Sequence, residues 1–192
     1  MNLSTVYDRP FFEMHAPWQL EYNIIADILV SRLQFSSVID LGCGSGFIIA
    51  RLRELGKEVC GVDGSVEALK AAPASVKESI TLRDLTAPLY LGQYDLVVCT
   101  EVAEHLEEEF AEIVVDNICA NAKHLIFFTA ATPGQGGHYH VNEQPHSYWI
   151  EKFSRRGFEL DHDLTTQCRC ELSQVISSVR WFVDNAMVFR LA

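Results

Sequence analysis

The chain has 192 residues, of which 48% are apolar and 21% are charged, and its formal net charge at pH 7 is −11. This composition excludes a chain that is disordered throughout, and the length is enough for one well-buried core, so we expect a single domain over residues 1–192. The negative charge argues against nucleic acid as a partner, because a polyanion would be repelled.

The basic residues and the cysteines are also consistent with a cytoplasmic protein that does not bind nucleic acid. Lys152, Arg155 and Arg156 form one basic cluster, which we interpret as a solvated helix end whose charges suit the helix dipole. The six cysteines are scattered, which favours free thiols in a reducing compartment, and we expect Cys168 and Cys170 to be strand residues.

No apolar run approaches the ~20 residues that a membrane span needs, and the N-terminus lacks a secretory signal. We therefore expect a cytoplasmic protein without membrane contact.

The N-terminal segment, residues 1–33, precedes the predicted core at residues 34–192. After an irregular aromatic start, apolar residues at helical spacing predict an amphipathic helix over 18–33. The early aromatic residues either cover a binding cleft or pack on the edge of the sheet; they are Tyr7, Phe11, Phe12 and Trp18.

Strands and helices alternate through the core. The predicted strands are 37–41, 58–63, 79–85, 94–100 and 124–131, and the predicted helices are 47–55, 66–72, 107–120 and 145–156. Strand-like pieces follow at 157–163 and 185–192, around a helical stretch near 173–184. This alternation predicts an α/β fold with a doubly wound parallel sheet and helices on both faces.

The stretch VIDLGCGSGF, residues 38–47, places three glycines between the first strand and the helix after it. Gly42, Gly44 and Gly46 remove side chains and permit positive φ, so a ligand can approach the backbone and the helix N-terminus. The second strand ends at Asp63, 21 residues after Gly42, where a carboxylate can accept hydrogen bonds from ribose hydroxyls. Together these features indicate a nucleoside cofactor.

The loop has the spacing GxGxG rather than GxGxxG, and too little chain follows the fifth strand for the substrate domain that a typical dehydrogenase carries. Both features argue against a dehydrogenase. With VIDLGCGSG, GVDGS, LRDL and YDLVVCTEVAEHL, the sequence resembles the class I S-adenosylmethionine-dependent methyltransferases over essentially its whole length. The resemblance implies a seven-stranded, mostly parallel sheet whose last strand is antiparallel and lies between the fifth and sixth, with 185–192 as the candidate.

The resemblance also assigns residues to the cofactor. Asp63 would hold the ribose hydroxyls, while Asp84 and the backbone amide of Leu85 would face the adenine. The residues implied to bind S-adenosylmethionine are Asp40, Gly42, Gly44, Gly46, Asp63, Asp84, Leu85 and Glu101.

The segment EVAEHL follows the fourth strand, and two further histidines, His138 and His140, follow the fifth. Glu101, Glu104 and His105 converge if their segment is helical. With His140 they would suit a divalent metal such as Mg, Mn, Fe or Zn. This ExxEH arrangement is similar to ubiquinone-pathway O-methyltransferases and to small-RNA 3′-terminal 2′-O-methyltransferases. In the small-RNA enzymes, a metal holds the two terminal hydroxyls of the RNA.

A reading without metal stays open, because similar sequences also occur in methyltransferases that use none. His105 or His140 would then be the general base for an acceptor hydroxyl, with Glu101 beside it as a catalytic residue.

The segment GGHYHVNEQPHSYW, residues 136–149, has a high density of polar side chains for a connection. It resembles the corresponding segment of small methyltransferases that act on saccharide and natural-product hydroxyls. In this segment we favour His138 or His140 as functional over His146, and Asn142 and Gln144 could instead cap the helix that Pro145 begins.

These features favour a methyltransferase that acts on a hydroxyl oxygen of a small molecule, a sugar or a secondary metabolite. The alternatives are a metal-dependent RNA 3′-terminal 2′-O-methyltransferase and a protein that binds S-adenosylmethionine without turnover, as a partner or sensor. Neither the acceptor nor the oligomeric state is indicated by the sequence.

Overall fold

The computed structural model describes residues 6–192, and its centre is one seven-stranded sheet with the strand order β3-β2-β1-β4-β5-β7-β6. The strands are β1 Ser37–Leu41, β2 Glu58–Asp63, β3 Ile80–Leu82, β4 Tyr94–Thr100, β5 Ala122–Thr129, β6 Phe158–Leu160 and β7 Met187–Leu191. Strands β1 to β5 pair in parallel, whereas β7 is antiparallel to both of its neighbours, β5 and β6. The expected sheet, including the place and direction of its last strand, is confirmed.

Helices connect the strands and cover both faces of the sheet. They are α1 Arg9–His15, α2 Gln19–Arg32, α3 Phe47–Glu54, α4 Val66–Ala71, α5 Ala111–Asn121, α6 His146–Ser154, α7 His162–Val175 and α8 Arg180–Asn185. Short 3₁₀ turns occupy Ala16–Trp18, Lys77–Ser79, Ala103–His105 and Glu108–Phe110.

The side chains of β4 show why the sheet needs cover on both faces. Leu96 and Val98 belong to one buried cluster with residues of α2, α3 and α7, whereas Val97 and Cys99 belong to another with residues of α5 and α6. All four side chains are fully buried. A strand that is buried on both faces reads as a continuous apolar run, as LVVC within β4 does.

Several predicted boundaries differ from the structure. The helical stretch expected near 173–184 is divided between the end of α7 at Val175 and α8, which begins at Arg180, and the helix expected over 107–120 begins as a 3₁₀ turn at Glu108–Phe110. Strand β3 ends at Leu82 rather than at residue 85, because Asp84 begins a turn in which its carboxylate accepts hydrogen bonds from the N–H and the hydroxyl of Thr86. The start of the chain is also more regular than expected, since Asp8 caps helix α1 by accepting a hydrogen bond from the Phe11 N–H.

The prediction that Cys168 and Cys170 are strand residues is wrong, because both lie in helix α7. Asp161 caps this helix by accepting a hydrogen bond from the Leu164 N–H at 2.9 Å, and so it ends the strand-like stretch at β6. Among the residues that the structure describes, no helix is both long and apolar enough to cross a bilayer.

The strand order reverses between β1 and β4, which lie side by side at the centre of the sheet. In open α/β sheets, ligands bind beyond the carboxyl ends of the strands at such a reversal. A ligand site is therefore expected among the loops that follow β1, β2, β4 and β5.

Candidate functional site

The glycine loop after β1 takes a conformation that favours glycine at three positions. The φ angles are +85° at Gly42, +52° at Gly44 and +70° at Gly46. The N–H groups of Gly42 and Cys43 both donate to the Val62 carbonyl, at 2.8 and 2.9 Å, and so fasten the loop to β2. The backbone of the loop is thereby open to a ligand while remaining fixed to the sheet.

Gly42 is also required by its surroundings. A Cβ atom at this position would collide with the Val102 side chain, which belongs to the segment after β4. The loops after β1 and β4 therefore touch at the reversal point, and only a glycine fits between them.

Asp63, at the end of β2, is built into the same loop. One carboxylate oxygen accepts a hydrogen bond from the Gly44 N–H at 2.8 Å, and the other accepts one from the Ser65 N–H at 2.8 Å. Burial raises the pKa of Asp63, and the hydrogen bonds from Ser65, Gly44 and Gly64 oppose that rise. Each oxygen keeps a further lone pair for a ligand hydroxyl.

Asp40 lies at the end of β1 with only 2% of its surface exposed, and its Oδ1 atom has no hydrogen-bond partner within residues 6–192. Burial, with the negative charge of Asp63 as the second cause, raises the pKa of Asp40 to about 8. The site therefore holds one buried acceptor that no group of the described chain satisfies.

Asp84 and Leu85 follow β3 and close the far side of the site. Asp84 is exposed, whereas Leu85 is buried and its carbonyl accepts a hydrogen bond from the Asn117 side chain at 2.9 Å. Asn117 lies on α5 and also donates to the Ala87 carbonyl, so it holds the loop after β3 in place. No local sequence pattern indicates this role of Asn117.

These loops enclose a cavity of about 670 Å³. Its walls include every residue implied to bind the cofactor except Gly46. The N-terminal aromatic residues also line it, namely Tyr7, Phe11, Phe12 and Trp18. Of the two readings of those residues, covering a cleft describes their position better.

Glu101 has a positive φ of 52°, which is uncommon for a residue with a side chain. Its N–H donates to both the carbonyl and the hydroxyl of Thr129, at 3.1 and 2.9 Å, so the start of the β4 loop is fastened to β5. Its carboxylate accepts a hydrogen bond from the Asn185 side chain at 3.3 Å. Asn185 is buried, lies at the end of α8 and also donates to Gln135, and sequence reasoning missed it.

Glu104, His105 and His140 come together as a cluster, in which one potential ligand atom from each lies within 4.8 Å of the others. Glu101 is not a member of this cluster. The segment is a 3₁₀ turn after a left-handed residue rather than the α-helix on which the expected convergence depended, yet the Glu101 carboxylate still lies close enough to Glu104 to raise the pKa of that residue.

Glu104 is completely buried, and neither carboxyl oxygen has a hydrogen-bond partner among the described residues. Burial, followed by the charge of Glu101, raises the pKa of Glu104 well above its ordinary value. Its carbonyl accepts hydrogen bonds from the N–H groups of Val141 and Asn142, at 2.9 and 3.0 Å, which brings the loop after β5 onto the cluster.

His105 lies within hydrogen-bonding distance of the Tyr139 carbonyl through Nδ1, at 3.3 Å. Burial, with the charge of His140 second, lowers the pKa of His105 to about 4, so its ring is neutral at pH 7. The rings of Tyr7 and His140 meet it edge to face, with centroid distances of 5.6 and 4.9 Å.

His140 lies beside the Glu143 carboxylate, with its Nδ1 atom 3.0 Å from Oε1. The two oxygens of Glu143 also accept hydrogen bonds from the N–H groups of Gly134 and Gly136, at 2.8 and 2.7 Å. The hydrogen bond with His140 is the first cause that lowers the pKa of Glu143.

The remaining parts of this loop divide between the cavity and the surface. His138 lines the cavity, and its Nε2 atom lies 3.2 Å from the Val6 carbonyl, whereas His146 does not line it.

Helix α6 has no side-chain cap, and Asn142 accepts a hydrogen bond from the Gln144 side chain instead. The reading of these two residues as helix caps is therefore wrong.

Comparison with known proteins agrees with this geometry. Residues 39–121, from β1 to the end of α5, match a protein family described as a methyltransferase domain. The match covers the glycine loop, Asp63 and the segment after β4.

Curated relatives carry a common name. The ubiquinone biosynthesis O-methyltransferase of Nitrosomonas europaea is 28% identical over 147 residues, which is 73% of this chain and 57% of that protein. The protein of the same name from Psychrobacter arcticus is 35% identical over 83 residues, 38% of this chain and 32% of that protein. The chain thus spans between a third and somewhat more than half of the length of these relatives.

Solved structures share the fold. Magnesium protoporphyrin IX methyltransferase from Synechocystis PCC 6803, with bound SAH, superposes with a TM-score of 0.65 at 18% identity, over 90% of this chain and 81% of that one. A TehB-like SAM-dependent methyltransferase from Corynebacterium glutamicum gives 0.66 at 20% identity, over 96% of this chain and all of the other. Residues 39–121 therefore match a methyltransferase domain, and the sheet and helices around them have the fold of these solved methyltransferases.

Proposed function

We propose that this protein transfers the methyl group of S-adenosylmethionine to a hydroxyl oxygen of a small molecule. The observation that carries the proposal is that one cavity joins the glycine loop and Asp63 on one side to His105 and His140 on the other. A cofactor site and a group able to take up a proton thus share one space.

The described residues fit the cofactor. The backbone of Gly42 and Gly44 would lie against its amino-acid part, and the spare lone pairs of Asp63 would accept the ribose hydroxyls. Asp40 offers an unpaired buried oxygen to a donor such as the cofactor ammonium group. Asp84 and Leu85 would line the adenine part.

S-adenosylmethionine supplies a methyl group that is already activated, so the chain has to align the acceptor and prepare its oxygen. An alcohol has a pKa far above 7 and needs a base close to it. His105 is neutral but a weak base, because its pKa is about 4. We therefore assign proton uptake to His140, with Glu101 fixed nearby by Asn185.

A bound divalent metal is a second candidate route to the same product. It is favoured by the two buried, unpartnered oxygens of Glu104 beside His105 and His140, which would be its ligands. Mg, Mn, Fe or Zn at this position would lower the pKa of the acceptor hydroxyl. Treatment with EDTA separates the routes: retained turnover supports the base, and loss that Mg, Mn, Fe or Zn restores supports the metal.

The basic cluster lends little support to the RNA alternative. Lys152 and Arg156 both pair with Glu112, Arg156 also pairs with Asp116, and Arg155 pairs with Glu151. Carboxylates on the same surface neutralise these cations, and the net charge of −11 would also repel the phosphates of an RNA.

The proposal is tested by incubating the protein with S-adenosylmethionine labelled with ¹³C at the methyl group, and with a methyl glycoside and a catechol as probes. The expected result is S-adenosylhomocysteine together with a ¹³C-methyl ether. Label on nitrogen or carbon of an acceptor would contradict transfer to oxygen. Tight cofactor binding without turnover on any hydroxylated acceptor, with metal added, would favour the sensor.

A further inference from the structure

We infer that Glu143 is a positioning residue, which fixes the tautomer and orientation of the His140 ring through its carboxylate. The inference rests on the proposed function, since it concerns the group to which we assign proton uptake. It follows from the donors that surround the carboxylate.

Three N–H groups meet at Glu143. The backbone N–H of Gly134 donates to Oε2 at 2.8 Å, that of Gly136 donates to Oε1 at 2.7 Å, and Nδ1 of His140 lies 3.0 Å from Oε1. The two amides can only donate, so this position requires a group that accepts at both ends. An ionised carboxylate meets that requirement, whereas an amide side chain would turn a donor toward one of them.

The same geometry settles the tautomer of His140. A carboxylate has no proton to give, so the hydrogen bond at 3.0 Å requires the proton to be on Nδ1. In the neutral ring, Nε2 then holds the lone pair. A histidine that takes a proton from an acceptor must present such a nitrogen, and a carboxylate that fixes the tautomer is the usual way to secure it.

The ring is held on its other sides as well. A Cβ atom at Gly137 would overlap the imidazole of His140, so this glycine permits the chain to pass close to the ring. The N–H groups of Val141 and Asn142 donate to the Glu104 carbonyl, which ties the following residues to the segment after β4. Glu143 lies within hydrogen-bonding distance of Nδ1 of His140 and so distinguishes this nitrogen from Nε2.

A purely structural role for Glu143 makes a different prediction. The residue would then serve to fasten Gly134 and Gly136, and its loss would alter stability without altering the His140 tautomer. The two roles are separated by a measurement on the ring itself.

The test is ¹⁵N NMR of the full chain labelled at histidine, with the His140 signals identified by their absence in His140→Asn. We compare the wild type with Glu143→Leu and Glu143→Asp, and with Glu109→Leu as a control at an exposed surface carboxylate. Leucine is used because a glutamine oxygen at the Oε1 position could still accept from His140. The expected wild-type spectrum shows the Nδ1–H tautomer. Glu143→Leu should shift the ring toward the Nε2–H form, while Glu143→Asp retains Nδ1–H.

Methyl transfer supplies the second readout. In Glu143→Leu we expect kcat to fall about tenfold to a hundredfold, with the affinity for S-adenosylmethionine unchanged and partial recovery in Glu143→Asp. An Nε2–H tautomer in the wild type, or an unchanged tautomer in a folded Glu143→Leu, would overturn the inference. If the wild type transfers no methyl group, the proposed function fails, and the NMR spectra still decide the role of Glu143.

Discussion

Gly44 donates its backbone N–H to a carboxylate oxygen of Asp63 at 2.8 Å, which joins the glycine loop after β1 to the end of β2. The other oxygen of Asp63 accepts the Ser65 N–H, so the carboxylate organises two loops at once. The residue expected to hold the ribose also shapes the loop expected to hold the rest of the cofactor. Cofactor affinity and loop geometry should therefore change together.

Replacement of Asp63 by Asn tests this coupling. An amide has one acceptor oxygen, so its NH₂ group would face the N–H of either Gly44 or Ser65. We expect Kd for S-adenosylmethionine to rise about tenfold to a hundredfold, measured by isothermal titration calorimetry. Asp27→Asn, at an exposed carboxylate outside the cavity, is the control, and equal affinities for both variants would contradict the role of Asp63.

Gly42→Ala should destabilise the fold for two separable reasons. The φ of +85° disfavours any side chain by about 1–2 kcal/mol, and the collision with Val102 adds about 1–3 kcal/mol. Gly56→Ala is the matched control, because Gly56 has a φ of +81° and no atom within 4 Å of an added Cβ. Urea denaturation should give a larger loss for Gly42→Ala; equal losses would show that the Val102 contact is unimportant.

Asp40 should make the stability of the cofactor-free protein depend on pH. Its folded pKa of about 8 lies above the ordinary value of 3.8, so between these values the folded state holds a proton that the unfolded chain has released. The contribution of this group is present in full below about pH 4 and falls as the pH rises toward 8. Asp63 is the negative charge that opposes ionisation.

Asp40→Asn removes this titration. The difference in free energy of unfolding, wild type minus Asp40→Asn, should decrease steadily from pH 4 to pH 8, as measured by urea denaturation without cofactor. A difference that is constant across this range would mean that Asp40 ionises normally in the folded protein.

The alternation of strands and helices, the glycine loop and Asp63 were all readable from the sequence, because each depends on local pattern. The helix that contains Cys168 could not be predicted in this way. Its residues resemble a strand, but the segment is long and Asp161 caps it, so it forms a helix. The backbone conformation of Glu101 was not predictable either, because its φ of +52° depends on Thr129 in a neighbouring strand. Contacts from distant parts of the chain, such as Asn185, leave no local pattern.

Glu104→Gln distinguishes the two routes to an activated hydroxyl. Glu104 is completely buried and burial favours its neutral form, so an amide of the same shape should replace it with little change in kcat if His140 is the base. A metal would instead lose a carboxylate ligand. We expect kcat to be retained and insensitive to EDTA, and Glu109→Gln controls for general effects of removing a carboxylate.

The most direct test of the account is a crystal structure of the protein with S-adenosylhomocysteine. We predict that the ribose hydroxyl oxygens lie within hydrogen-bonding distance of the Asp63 carboxylate, that the glycine loop contacts the amino-acid part, and that the sulfur atom faces the part of the cavity lined by His105 and His140. Binding of the molecule outside this cavity, or in it with the ribose away from Asp63, would contradict the account.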